Sequence, residues 1–441
     1  PMRERPTTDD AISNGLREMA RQNAEDARGQ SATYGTIGDI DLSKVIVPEQ
    51  EITRRIHGEV ERLGLIHFNN RADAYLKGQQ SVVNVMAKQF DLKKNAKTTA
   101  RAMVAKTGTL DTVKMMGYRF TDDIFRKNTI LPKGKNHGML MFVDWSGSMM
   151  DQIADTIAQA INMAMFCKRA GIPFGVYAFT TSWSTDEDVT VINANPKKGE
   201  FHVNGTYFNL LELCSSQLKG TRYTDALRNM VFMKDTFANA CARANTNRDH
   251  FTHGNHHLPR ELDLGGTPLE ECIFAAGTIV KSMKKTGIEI VNTIFLTDGD
   301  GCGGPINNYG AQTFTGKGHE TCERGYGKIM LRAGTKTIDC TNTKKAAYEW
   351  LRVTTGANVV GFYLTKDVPW RLHGQDGILD RWNEDRFLIL TDDAAAAEGY
   401  DSYFMLDPKI KSKQSHAFDQ LDDDATAAKT RGAFIRQAKA K

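Results

Sequence analysis

The chain is poor in cysteine. Seven residues (Cys167, Cys214, Cys241, Cys272, Cys302, Cys322 and Cys340) are scattered through 441 positions, an odd number with no C-x-x-C pair. That usage excludes a disulfide framework and reads as a reduced, intracellular chain, so a cytoplasmic location is expected. Cys167 and Cys272 lie among apolar residues at helical spacing, where a thiol serves as a small hydrophobe. No run of 18 apolar residues occurs, and no membrane-spanning helix is expected. The opening PMRERPTTDD lacks the hydrophobic segment of a secretory signal. Pro1 stands first and Lys441 closes a helical pattern, so either end is open to processing or truncation. Excess charge of one sign is also missing: 57 Lys and Arg face 53 Asp and Glu, a net of +4. Bulk composition therefore gives no reason to expect nucleic acid or an acidic surface as partner. G-x-x-x-x-G-K-[ST] and H-E-x-x-H are both absent, and Ser146 has no G-x-S-x-G setting. These absences remove P-loop ATP binding, the zincin metalloprotease and the nucleophile elbow.

What is present is a chain with 40% apolar residues, enough for one large or two ordinary cores. Residues 1–45 are polar and read as a mobile arm. Residues 46–135 read as a helical, basic region in which Leu76, Val83, Met86 and Phe90 recur as one buried stripe. Within it, 88–135 holds twelve Lys or Arg against four Asp. The basic residues are not interleaved with aromatics as a base-stacking surface needs, so a solvated helix face is the preferred reading over nucleic-acid binding.

Beyond residue 136 the rhythm becomes strand–helix alternation. MLMFVD (139–144), FGVYAFT (174–180), IEIVNTIFLTD (288–298), ANVVGFYLT (357–365) and RFLIL (386–390) read as strands. Residues 151–169, 268–285 and 344–355 read as helices, the first with Asp151 at its start and Lys-Arg at its end, as the helix dipole favours. Continuously apolar strands separated by helices imply an α/β fold with a mainly parallel sheet covered on both faces. The unit spans 136–395, with insertions at 181–264, expected to carry two helical stretches, and at 299–342, expected to be irregular. A tail helix is assigned to 396–441.

In such a sheet functional groups gather beyond the carboxyl ends of the strands. Asp144, Ser146 and Ser148 follow the first strand, Thr267 follows two glycines in DLGGTPLEE, and Asp298 closes the 288–298 strand. Two carboxylates and three hydroxyls, without histidine or thiolate, suit a hard divalent ion, Mg²⁺ first and Mn²⁺ next. The ion would remain under-neutralised, with a position left for an acidic residue of a partner. It would then act as an adhesive rather than a catalyst.

The ordered set D-x-S-x-S (Asp144, Ser146, Ser148), the Thr of GGTP (Thr267) and the Asp of LTDG (Asp298) resembles the metal-ion-dependent adhesion site of von Willebrand factor A domains, over roughly 136–395. The resemblance implies the Rossmann-like fold of that family, although the spacing from the serines to Thr267 is longer than usual. KTGTLDTVKMMGYRFTDDIFRK (106–127), leading through KGKNHGMLMFVDWSGSM, is similar to the cobaltochelatase subunit T group, closest to its tailed-bacteriophage versions. That similarity implies pairing with a hexameric AAA+ ATPase of the MoxR/chelatase type and no catalytic activity of the chain alone. The cellular subunit carries a long acidic linker where this chain has a basic helical segment. Two alternatives stay open: a genuine cobaltochelatase subunit in corrin metal insertion, and a virion-associated structural or adhesion protein.

Other motifs are weaker. GDGCGG (299–304) matches a dinucleotide-binding turn by letter but is followed by Pro305 and Asn-Asn-Tyr-Gly. Cys302, His319, Cys322 and Cys340 share one insertion and form a possible Zn²⁺ set without recognised spacing. His250, His253, His256 and His257 read as a polar loop. Trp145 is expected to pack in the core rather than face a partner.

Overall fold

The computed structural model describes residues 32–65, 67–100, 103–105, 128–130, 136–183, 191–246, 258–298, 301, 304, 306–307, 310–316, 322–325, 327–365, 382, 387–391 and 399–406. Eight strands form a central sheet: β1 (Ile46–Val47), β2 (His137–Asp144), β3 (Phe174–Thr180), β4 (Asn209–Ser215), β5 (Ile290–Leu296), β6 (Asn358–Leu364), β7 (Phe387–Thr391) and β8 (Ser402–Leu406). Their order is β7-β8-β6-β5-β2-β3-β4-β1. All neighbours run parallel except β7 with β8 and β3 with β4. Six longer helices accompany them: α1 (Glu49–Arg62), α2 (Phe68–Ala100), α3 (Ile153–Ala170), α4 (Thr221–Thr246), α5 (Leu269–Lys285) and α6 (Thr343–Thr355).

Alternation along β2 explains the layering. Leu140 and Phe142 join the core cluster of α5 and α6, whereas Met141 and Val143 join the cluster built with α1 to α4. A strand buried on both faces must be apolar throughout, which is why this segment shows no polar alternation. Phe142 stacks on Phe295 (5.1 Å), which meets Tyr348 edge-on (5.0 Å), so the centre of the sheet is tied to α6 through aromatic contacts. α3 ends at Gly171, whose φ of 67° suits a left-handed C-terminal cap. Asn342 caps α6 by accepting from the Lys345 amide. In α5, Gly277 admits the Trp350 ring, which a Cβ there would meet at 2.7 Å. The stripe on α2 points as its period requires: Val83 is buried and Phe90 packs edge-on against Phe166 at 5.7 Å.

Connectivity creates a switch point. The chain leaves β2 through α3 to β3 on one side, while β5, on the other side of β2, leads through α6 to β6. The carboxyl ends of β2 and β5 therefore flank a crevice, where open α/β sheets place their ligands.

Several sequence expectations are corrected. Part of the polar arm is built into the fold: Thr33–Thr36 pairs with Ile329–Ala333, and Ile37, Ile40 and Val45 are buried. Ile40 N donates to Thr278 Oγ1 (2.9 Å) and Lys281 Nζ lies 2.6 Å from Asp39 Oδ1. The sparse apolar residues among polar neighbours hid this. The region 46–135 is not helical throughout, since β1 opens it and Met103–Ala105 pairs with Asn128–Ile130. Among its described residues, the 181–264 segment holds one long helix, α4, a short 3-10 turn at Arg260–Leu262 and, unforeseen in the sequence, a strand of the main sheet, β4. The 299–342 segment contains short antiparallel strands, Ile329–Ala333 with Lys336–Asp339 among them. The tail contributes β8, inserted between β6 and β7; residues 407–441, and with them the tail helix, lie outside the described residues. No described helix is long and apolar enough to cross a membrane.

Candidate metal centre

Parallel pairing brings the ends of β2 and β5 level, with Val143 opposite Leu296. Asp144 and Asp298 therefore emerge side by side at the crevice. Past Asp144 the chain is held on both sides. Trp145 N donates to Phe179 O (3.1 Å), Gly265 N donates to Trp145 O (2.9 Å) and Gly147 N donates to Gly265 O (3.0 Å). These bonds lay the Ser146–Ser148 turn against the GGT loop. Gly265 is obligatory there, because a Cβ would lie 2.4 Å from Ser182 Oγ and 2.9 Å from Ser182 N. Gly266 N donates to Thr181 Oγ1 (2.6 Å), and buried Thr267 follows just before α5. All five residues singled out in the sequence thus converge at one edge.

The centre runs from a dry floor to a wet rim. Asp144 is 0% exposed and Ser146 2%, whereas Gly147 and Ser148 are exposed. The Ser146 and Ser148 hydroxyls lie 3.0 Å apart. Thr297 Oγ1 donates to Asp144 Oδ2 (2.7 Å), but the buried Oδ1 has no hydrogen-bond partner. Burial pushes the Asp144 carboxyl up to about 7; Thr297 and Ser146 pull the other way, and the Asp298 charge adds to the rise. An aspartate with an orphaned oxygen, beside a second carboxylate and paired hydroxyls, is short of one positive charge. The donor set therefore fits a hard divalent cation. Among the described residues no three His, Cys, Asp or Glu side chains cluster in a way that could hold a metal. The set here has only two carboxylates, its other donors being hydroxyls.

Trp145 is fully buried, edge-on to Phe237 at 5.4 Å, and its Nε1 donates to Leu262 O (2.9 Å). It thereby ties the strand end to the segment leading into the GGT loop. Trp145→Phe keeps most of the packing and leaves that carbonyl unsatisfied. We expect it to lower unfolding stability by about 1–3 kcal/mol in a urea titration, with an unchanged midpoint as the contrary result. Asp151 is exposed and precedes α3. Cys302, His319 and the four loop histidines lie outside the described residues, as does the side chain of Cys322. Cys340 is buried, its thiol pushed up to about 12 by desolvation. After GDGCGG the next described element is the strand Ile306–Asn307, not a helix.

The sequence reading missed Thr297 and Thr181. Both stand at or just beyond a strand's carboxyl end, the signal that marked Asp144. It also passed over Glu270 and Glu271, buried at the start of α5. Glu270 accepts from Thr343 Oγ1 (3.0 Å), and Gly301 and Gly304 pack on its side chain. Burial, with the Glu270 charge beside it, pushes Glu271 up to about 8.

No protein-family model matches the chain, and no curated protein does. Among solved structures, the pilus adhesin SpaC from Lactobacillus rhamnosus GG in its open conformation is 12% identical, with a TM-score of 0.26, over 52% of this chain and 24% of its own. The pilus adhesin RrgA from Streptococcus pneumoniae is 10% identical, with a TM-score of 0.31, over 65% and 45%. The human COPII-coat protein Sec24c is 9% identical, with a TM-score of 0.25, over 54% and 27%. This chain thus spans less than half the length of each, and likenesses this distant decide nothing about fold family or function.

Proposed function

We propose that the chain is a von Willebrand A-type interaction protein whose Mg²⁺ or Mn²⁺ ion, held by Asp144, Ser146, Ser148, Thr267 and Asp298, binds an acidic residue of a partner. The observation that carries this reading is the fully buried Asp144 carboxyl, with one oxygen unpartnered, at the switch point of a parallel sheet. A bound divalent ion supplies Lewis-acid affinity for a carboxylate oxygen. The chain's own part is to hold that charge at the sheet edge with one side open. Buried Asp144 anchors it, the serine hydroxyls face it without adding charge, and the exposed Gly147–Ser148 turn leaves room for the partner's side chain.

The partner we propose is an AAA+ ring of the MoxR/chelatase type, with this chain as a non-catalytic adaptor. Support for the ring comes from the sequence similarity through 106–149, of which 106–127 and 131–135 lie outside the described residues. Co-purification with such a ring in Mg²⁺ should disappear in EDTA and for Asp144→Ala, with circular dichroism unchanged. Undiminished capture of the ring by that variant would overturn the proposal.

A further inference from the structure

A cleft of about 550 Å³ opens between α2, the last turn of α3 and the first turns of α4. Ile153, five positions after Ser148, lies sixteen positions along α3 from Arg169 in the cleft. At 1.5 Å per residue that is about 24 Å, so the two sites are distinct. Lys77 from α2 and Lys168 and Arg169 from α3 line the cleft. Among the described residues Lys77 and Arg169 form no ion pair. The single carboxylate in the lining, Asp73, is already neutralised: Arg228 Nε and Nη2 each donate to it at 2.8 Å. Among the described residues, three cationic side chains therefore line the cleft with no free anion opposing them.

Lys168 is fixed in position. Its Nζ donates to Leu218 O (3.0 Å) and lies 4.6 Å from the Tyr223 ring centre, and an ammonium keeps further donors available. Tyr223 lines the cleft as a residue, but its hydroxyl is buried in the core near Cys214 and Cys167 and is not open to the cleft. Leu76, Met165 and Leu227 supply an apolar floor. Unopposed cations and an apolar wall are complementary to a multiply charged oxyanion on an apolar body. The volume is that of a small-molecule site rather than a protein-docking face.

We infer that this cleft binds a small organic phosphate, with the phosphoryl group among Lys77, Lys168 and Arg169 and the body against Leu76 and Leu227. The test is calorimetric titration of the full chain with phenyl phosphate, inorganic phosphate and phenol at fixed ionic strength. Saturable binding of phenyl phosphate, tighter than that of inorganic phosphate and absent for phenol, is expected. The double variant Lys77→Ala/Arg169→Ala should weaken it by about tenfold or more, as loss of charge-assisted bonds requires. Thermal midpoint and Mn²⁺ binding should be unchanged in the double variant. Equal affinity of wild type and double variant would overturn the inference, as would inorganic phosphate matching phenyl phosphate or no saturation by either.

Discussion

Asp144→Asn is expected to weaken divalent-cation binding by about 100-fold or more, since losing even a carboxylate that only orients a ligand costs up to about that much, while the fold survives. The side chain is fully buried and its Oδ2 accepts from Thr297 Oγ1. An amide oxygen can keep that bond and preserve the shape. It cannot supply the negative charge that makes the floor of the centre attractive to a cation. The free-ion Mn²⁺ signal in electron paramagnetic resonance, followed through a titration, reads the affinity directly. Wild-type affinity in the variant would mean that Asp144 plays no part in holding an ion.

The second large effect is on stability in the absence of metal. Asp144 titrates near 3.8 when unperturbed and is pushed up to about 7 in the fold by burial. Between these values the native state binds more protons than the unfolded state, so unfolding free energy falls as pH rises. The native state has the full advantage below about pH 4 and has lost it once pH passes about 7. A shift of this size corresponds to roughly 4 kcal/mol. Glu271, raised to about 8, acts in the same direction and extends the loss to higher pH. In EDTA, urea unfolding should therefore give a midpoint that falls from pH 4 to pH 8. Asp144→Asn should remove the larger part of the fall below pH 7 and be more stable than wild type at pH 8. Mg²⁺ should restore wild-type stability at pH 8 and do little for the variant. A pH-independent midpoint for metal-free wild type would contradict this account.

The β-strand that ends at Asp144 and the helix after it could be read from the sequence because their signals are local. MLMFVD is apolar on both faces, and Lys168, Arg169 and Gly171 mark the end of α3. The five oxygen-bearing residues could be picked out for a related reason, since each stands in a loop just beyond a strand or before a helix. Thr297 was harder to see. Its role depends on Val143 lying opposite Leu296, a register set by tertiary pairing. β4 and β8 were missed because NLLELCS and SYFML sit inside long segments with turn and polar signals around them, and only their neighbours in the sheet fix them. The helix stripe through Val83 showed which face of α2 is buried, but not that α3 and α4 would cover it with a charged cleft beside them. Long-range partners leave little trace in a single sequence, whereas periodicity and chain termini of elements leave much.

The decisive measurement is anomalous diffraction from crystals soaked in Mn²⁺ at pH 8, where Asp144 is mainly ionised. The account requires one manganese peak at the carboxyl end of β2, enclosed by Asp144, Ser146, Ser148, Thr267 and Asp298. Anomalous density elsewhere on the molecule, with none among these side chains, would contradict it.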